Sequence, residues 1–222
     1  MSSDTGKFFG KDFWITEANK YYRRPYLRLE KCARLVISLA GQNECDLLDI
    51  GCGPAALQQL LPSHVHYYGI DLAIHVPQAN LLEVDITQKP IGFGDRKFDI
   101  AVATGLFEYM GQLQKQKMSE IRDILKERAK FIVSFTNYNH QHALVDYAPY
   151  NNVMSIEDFK RDLELFFHVD CYFPTFYNWN GTEPRKWWSR GIQKYVNVKV
   201  PFISRRLSVS YFFVCSPKPT NT

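Results

Sequence analysis

Hydrophobic residues recur along the chain with two periods, and each period predicts one type of secondary structure. Short continuous apolar runs predict buried β-strands. These runs are Leu47–Ile50, Tyr67–Ile70, Leu81–Ile86, Phe98–Ala103, Lys130–Phe135, Cys171–Phe173 and Val209–Val214. Apolar residues spaced three or four positions apart predict helices instead. Such stretches contain Leu27, Leu35 and Leu39, then Met118, Ile121 and Leu125, and then residues 156–167.

The order of these elements indicates how the chain is organised. Strands and helices alternate between Cys45 and Asn137, as a parallel α/β sheet requires. We therefore predict one domain over residues 45–222, preceded by a helical extension over residues 1–44. The last two strands are separated by about 30 residues, too many for a tight hairpin, which predicts an insertion at about 177–207.

The strand at Leu47–Ile50 runs into a turn with an unusual composition. The turn consists of Gly51, Cys52, Gly53 and Pro54. Glycines let the backbone turn sharply and approach a ligand closely, and proline suits the first position of a helix. The spacing of Gly51, Gly53 and Ala56 also fits the dinucleotide-binding pattern. We therefore predict a small cofactor at a turn between a strand and a helix.

Acidic residues lie at or near the ends of three predicted strands: Asp49, Asp71 and Asp85. Twenty residues separate Gly51 from Asp71, the interval at which a nucleotide-binding unit presents its ribose-binding carboxylate. Asp49 would repel a pyrophosphate and attract an ammonium group. S-adenosylmethionine (SAM) carries an ammonium and no phosphate, so these acids favour SAM over NAD. Asp71 is then predicted to bind the ribose and Asp85 the adenine amino group.

Size, charge and cysteine content narrow the function further. A chain of 222 residues buries about 70% of its unfolded surface, so it needs no external scaffold. The net charge of +4 does not indicate a nucleic-acid partner, since such proteins concentrate basic residues on one face. Five cysteines without C-x-x-C spacing indicate neither a zinc site nor a disulfide framework. The sequence shows no leader segment and no membrane-spanning run, which predicts a cytoplasmic protein.

At four places the chain resembles the class I SAM-dependent methyltransferases. The motifs are D-I-G-C-G-P-A from Asp49, G-I-D ending at Asp71, V-D-I around Asp85 and F-D-I-A-V-A-T-G-L-F-E-Y from Phe98. The resemblance covers residues 47–137. It implies an α/β fold with a doubly wound, mostly parallel seven-stranded sheet. Helices would cover both faces, and an antiparallel C-terminal hairpin would form one edge.

The resemblance also implies which residues contact the cofactor. Asp49 and the glycine turn would lie near the methionine part, Ile86 would border the adenine, and Thr104 with Gly105 would line the methionyl side. The full set implied is Asp49, Gly51, Cys52, Gly53, Asp71, Leu72, Asp85, Ile86, Thr104 and Gly105.

Two features depart from the family pattern. Ala55 occupies a position where many members have glycine, which restricts the turn slightly. The interval between Asp71 and Asp85 is short and contains Pro77, which leaves little room for the usual second helix. We therefore expect an open adenine side, or one covered by other residues.

Candidates for acceptor chemistry follow the fourth and fifth predicted strands. His140 is a candidate general base, with a surface loop histidine as the alternative. Glu108 and Tyr109 could position an acceptor. The tryptophan- and arginine-rich insertion at 177–207 is either a lid over the acceptor or a cover for the sheet edge.

These observations predict a SAM-dependent methyltransferase that acts on an oxygen or nitrogen of a small molecule. An RNA-modifying methyltransferase and a non-catalytic partner protein with the same fold remain alternatives. The residues after the fourth strand are Ala103, Thr104, Gly105 and Leu106, without the polar and aromatic tetrad that holds a flipped base. The sequence predicts neither an oligomeric state nor a metal ion.

Overall fold

A computed structural model describes residues 27–138, 152–177 and 208–219. The helices are α1 (Leu27–Ala40), α2 (Gln114–Asp123) and α3 (Ile156–Leu163). The strands are β1 (Cys45–Ile50), β2 (Val65–Asp71), β3 (Leu81–Glu83), β4 (Phe98–Thr104), β5 (Leu125–Thr136), β6 (Phe167–Tyr177) and β7 (Ser208–Pro217). Short 3₁₀ helices span Ala56–Leu60, Phe107–Tyr109 and Gly111–Leu113.

The strands form one seven-stranded sheet in the order β3-β2-β1-β4-β5-β7-β6. Strands β1 to β5 are parallel to one another, while β7 lies antiparallel between β5 and β6. Both the mostly parallel sheet and the antiparallel C-terminal edge are therefore confirmed. Because the parallel strands point the same way, the ends of β1, β2 and β4 meet at one edge of the sheet.

Helices cover both faces of the sheet, as predicted. On one face, α2 and α3 bury Met118, Ile121 and Phe159 against the apolar side chains of β5. On the other face, α1 packs Cys32 and Val36 onto the sheet. Side chains alternate between the two faces along β5, where Ile132 faces α1 and its neighbours face α3. No helix in the described ranges is long and apolar enough to cross a membrane.

Helix boundaries follow local chemistry. The hydroxyl of Ser155 accepts the backbone N–H of Asp158 at 3.0 Å, which confirms the predicted N-cap of α3. Helix α1 ends at Gly41, whose φ of +62° lets its N–H reach the carbonyl of Ile37 at 3.0 Å.

The structure corrects four details. The predicted helix after the glycine turn is a short 3₁₀ helix at Ala56–Leu60, because Ala55 adopts a left-handed conformation in place of a first helical turn. Leu125 begins β5 although its spacing matched the stripe of α2. Leu39 is exposed, because the face of α1 that carries Cys32, Val36 and Ala40 is the buried one.

The fourth correction concerns α3, which ends at Leu163, four residues before the predicted boundary, with β6 beginning at Phe167. Between β2 and β3, residues 72–80 contain no helix, as expected from their length.

Candidate cofactor site

The glycine turn folds back onto the end of β2. Gly51 and Gly53 have φ values of +76° and +54°, which a side chain would disfavour. The backbone N–H groups of Gly51 and Cys52 donate to the carbonyl of Ile70, at 2.8 and 3.2 Å. Ala55 also has a φ of +54°, a conformation that costs an L-residue about 1–2 kcal/mol. Ala55, where many members of the family have glycine, is therefore a strained position in the same turn.

Asp71 ties the turn to β2. Its Oδ2 accepts the N–H of Gly53 at 2.8 Å, and its Oδ1 accepts the N–H of Ala73 at 3.1 Å. Burial raises the pKa of Asp71, against the lowering effect of these two donors. The structure therefore brings Asp71, Gly51, Cys52 and Gly53 together, as the sequence predicted.

Asp49 is buried at the end of β1, with an exposed fraction of 3%. The hydroxyl of Tyr67 donates to its Oδ2 at 2.8 Å. Burial raises the pKa of Asp49 to about 7; the Tyr67 hydrogen bond opposes this rise and the Asp71 charge adds to it. Sequence reasoning missed Tyr67. The signal was its position on β2 opposite Leu47, on the face of the sheet that carries Asp49.

The adenine-side residues lie beyond β2 and β3. The N–H of Val84 donates to the carbonyl of Asp71 at 2.8 Å, which brings the chain back beside the second acid. Asp85 accepts the N–H and the hydroxyl of Thr87 with the same oxygen, Oδ1, at 2.9 and 2.6 Å. Ile86 is buried and Leu72 is half-buried. Asp85 therefore lies just after β3 and closes a turn there.

At the end of β4, Thr104 is half-buried and Gly105 has a φ of +70°. The N–H of Gly105 donates to the Ser134 hydroxyl at 3.0 Å. Arg28 of α1 lies against this glycine, since a Cβ built on Gly105 would approach the Arg28 Cζ to 2.9 Å. Sequence reasoning missed Arg28.

Glu108 is buried just beyond β4, in the 3₁₀ helix Phe107–Tyr109. Its Oε1 accepts the N–H and hydroxyl of Thr136, at 2.9 and 2.8 Å. Its Oε2 is buried and has no hydrogen-bond partner within the described residues. Burial raises the pKa of Glu108, and the Arg28 charge lowers it. The edge of the sheet therefore carries a third desolvated carboxyl group.

The predicted base His140 lies outside the described residues, as does the insertion except for its first residue, Tyr177. Residues 1–26 of the predicted extension also lie outside them, whereas residues 27–40 form α1. Across the part that is described, no group of three His, Cys, Asp or Glu side chains could hold a metal ion.

The donors and charges around the turn fit SAM. Asp49 is buried, Asp71 is half-buried, and the Asp71 charge raises the cost of ionising Asp49. A pyrophosphate would add negative charge to this pair, whereas an ammonium would compensate it. Among the described residues, the backbone around Gly53 is open, with no non-neighbouring atom within 4 Å of a Cβ built there.

The sequence profile of the methyltransferase domain matches residues 21–166. The chain belongs to the methyltransferase domain family. The match spans β1 to α3 and includes every cofactor residue predicted above. No curated protein sequence matches the chain.

Solved methyltransferase structures have the same fold. A chain of the complex between the Trm112 methyltransferase activator and a methyltransferase of Haloferax volcanii is 15% identical, with a TM-score of 0.63, over 99% of this chain and 100% of that one. N-methyltransferase NodS from Bradyrhizobium japonicum, solved with S-adenosylhomocysteine, is 11% identical, with a TM-score of 0.62, over 98% and 100%. The CcbJ methyltransferase from Streptomyces caelestis is 12% identical, with a TM-score of 0.62, over 93% and 98%.

These matches confirm the predicted class I methyltransferase and its cofactor, SAM. The enzyme is therefore a SAM-dependent methyltransferase. The family and the fold leave its acceptor to be argued from this chain's own residues.

Proposed function

We propose that the enzyme methylates an oxygen or nitrogen atom of a small-molecule acceptor. The observation that carries this proposal is Glu108, a buried carboxyl group beyond β4 with one oxygen unpartnered among the described residues. A buried carboxylate without a donor is costly unless a ligand supplies one. The donor would be an O–H or N–H group, and with Glu108 only 1% exposed, a small molecule fits better than a polymer.

The cofactor residues have distinct roles in this proposal. Asp49 would accept a hydrogen bond from the ammonium of SAM. Asp71 would accept hydrogen bonds from the ribose hydroxyls of SAM while its carboxylate also holds Gly53 in place. Cys52 and Leu72 would flank these two acids. Asp85 and Ile86 would border the adenine, and Thr104 with Gly105 would line the methionyl side. When bound, SAM supplies a methyl group attached to a positively charged sulfur. This sulfur is a good leaving group because it departs as a neutral thioether.

The chain's own residues would then position the acceptor and take its proton. A nucleophilic oxygen or nitrogen loses a proton when it gains a methyl group, so a nearby base assists. His140 is our candidate for that base, and Glu108 would orient the acceptor through its unpartnered oxygen. The insertion at 177–207 would close over the acceptor as a lid. The five unpaired cysteines support action in a reducing compartment such as the cytoplasm.

RNA methylation is the second candidate function. It is favoured by Arg185, Lys186, Trp187 and Trp188, since basic and aromatic side chains together suit stacked bases.

An experiment with labelled SAM separates the two functions. The purified enzyme is incubated with methyl-labelled SAM and an acceptor sample. The acceptor sample is either a small-molecule extract or total RNA, both prepared from one batch of cells. We expect label in the small-molecule fraction and none in RNA, with turnover reduced at least tenfold by His140→Gln. Label in RNA alone, lost when Arg185 and Lys186 become alanine, would overturn the proposed acceptor class.

A further inference from the structure

Tyr67 and Asp49 form a buried pair that the predicted cofactor contacts do not include. Both side chains are nearly excluded from solvent, at 5% and 3% exposure. The Tyr67 hydroxyl donates to Asp49 Oδ2 at 2.8 Å. Within the described residues no hydrogen bond reaches Asp49 Oδ1. One oxygen is therefore fixed by the protein and the other is left for a ligand.

The sheet register explains how Tyr67 reaches this carboxylate. Asp49 lies opposite Gly69 in the sheet. Tyr67 is two residues before Gly69, so both are on the same face of β2. A side chain at Gly69 would collide with its neighbours, since a Cβ built there lies 2.8 Å from Cys52 Sγ and Leu81 Cδ2. The space beside Gly69 is therefore occupied by Cys52 and Leu81, next to the pair of Tyr67 and Asp49.

We propose that Tyr67 is a positioning residue that orients the Asp49 carboxylate toward the ammonium group of the cofactor. The proposal rests on the assignment of Asp49 to that ammonium under the proposed function. Under this proposal, Tyr67 sets how strongly the enzyme binds the amino-acid part of SAM and does not affect how strongly it binds the adenosine part.

Charge around Asp49 makes this hydrogen bond important. Asp71 and Cys52 lie on the same side of the sheet, and Cys32 lies near Asp49 on α1, where the Arg28 charge acts on Cys32. Burial and Asp71 favour the protonated acid, while the Tyr67 hydroxyl favours the carboxylate. Removal of the hydroxyl therefore raises the pKa of Asp49 and leaves less carboxylate at neutral pH.

The test compares two ligands by calorimetric titration between pH 6.5 and 8.5. S-adenosylhomocysteine carries the ammonium, and 5′-methylthioadenosine lacks the amino-acid part. Tyr67→Phe should weaken S-adenosylhomocysteine binding about tenfold at pH 7, and the loss should shrink toward pH 8.5. Binding of 5′-methylthioadenosine should stay within twofold of the wild type. Tyr68→Phe is the matched control, because it removes a hydroxyl from the adjacent residue on the opposite face.

A double-mutant cycle with Asp49→Asn completes the test, since Tyr67→Phe should add less than twofold once the carboxylate is gone. Equal weakening of both ligands by Tyr67→Phe, or no weakening of either, would overturn the positioning role. Failure of the wild-type enzyme to bind S-adenosylhomocysteine would instead overturn the cofactor assignment of Asp49.

Discussion

Strands β1 and β4 carry acidic residues near both ends, in opposite settings. Near their starts, Asp99 lies 2.7 Å from the Lys126 ammonium and Asp46 lies 3.5 Å from the Arg96 guanidinium. At the end of β1 and just beyond β4, Asp49 and Glu108 are buried and accept hydrogen bonds from neutral hydroxyl groups. The acids at the start are half-buried and paired with cations, whereas those at the end are desolvated.

The contrast separates stability from function. A surface acid that is paired with a cation contributes little to the free energy of unfolding, and its charge is still solvated and costs little. A buried carboxyl without a compensating cation costs several kcal/mol in its charged form, so the protein partly avoids that form by protonation. Burial raises the pKa values of Asp49, Asp71 and Glu108. These three groups form the edge that we assign to cofactor and acceptor.

Asp71→Ala should have the largest effect on cofactor affinity. The change removes the acceptor for the Gly53 and Ala73 N–H groups together with the proposed ribose contact. We expect S-adenosylhomocysteine affinity to fall about 100-fold, or about 3 kcal/mol, as measured by calorimetry. Asp46→Ala at the opposite edge is the control and should leave affinity unchanged. An unaltered affinity in folded Asp71→Ala would remove this residue from the site.

Asp49→Asn should change the pH dependence of stability without ligand. The pKa of Asp49 is about 7 in the fold, against an ordinary value of 3.8. Protonated Asp49 therefore contributes stability that is complete below pH 4 and is lost as the pH rises through 7. Relative to the wild type, the variant should gain about 4 kcal/mol at pH 8 and nothing at pH 4. Urea unfolding at both pH values measures the difference, and a gain independent of pH would contradict it.

Lys126→Ala should have the smallest effect. Lys126 is 45% exposed and pairs with Asp99 at 2.7 Å and Asp46 at 3.8 Å. Exposed pairs of this kind contribute less than about 1 kcal/mol and are screened by salt. We expect a loss of about 0.5 kcal/mol that disappears in 1 M salt, with cofactor affinity unchanged. A larger loss that persists in salt would show that the ion pairs of Lys126 with Asp99 and Asp46 are not a surface network.

The sequence predicted the strands and the acids that follow them, because apolar runs and acidic residues are local patterns. The spacing of Gly51 and Asp71 predicted that Asp71 lies beside the glycine turn, and its hydrogen bond with the Gly53 N–H was seen only in the structure. The partners Tyr67 and Arg28 were not, since each reaches the site across elements that are separate in sequence. The 3₁₀ helix after Ala55 was missed because one alanine in a left-handed conformation overrides the helical pattern that follows.

Boundaries were predicted less well than element types. Leu125 fits the helical spacing of α2, but pairing with Phe98 of β4 places it at the start of β5. Nonlocal pairing of this kind is invisible to a periodicity argument.

The most direct test of the account is proton release when S-adenosylhomocysteine binds. The enthalpy of binding is measured at pH 6.5 in buffers with different ionisation enthalpies. If the ligand's ammonium ionises a largely protonated Asp49, binding should release about half a proton or more, and Asp49→Asn should release close to none. Binding without proton release, or equal release from the variant, would contradict the claim that this buried acid holds the cofactor.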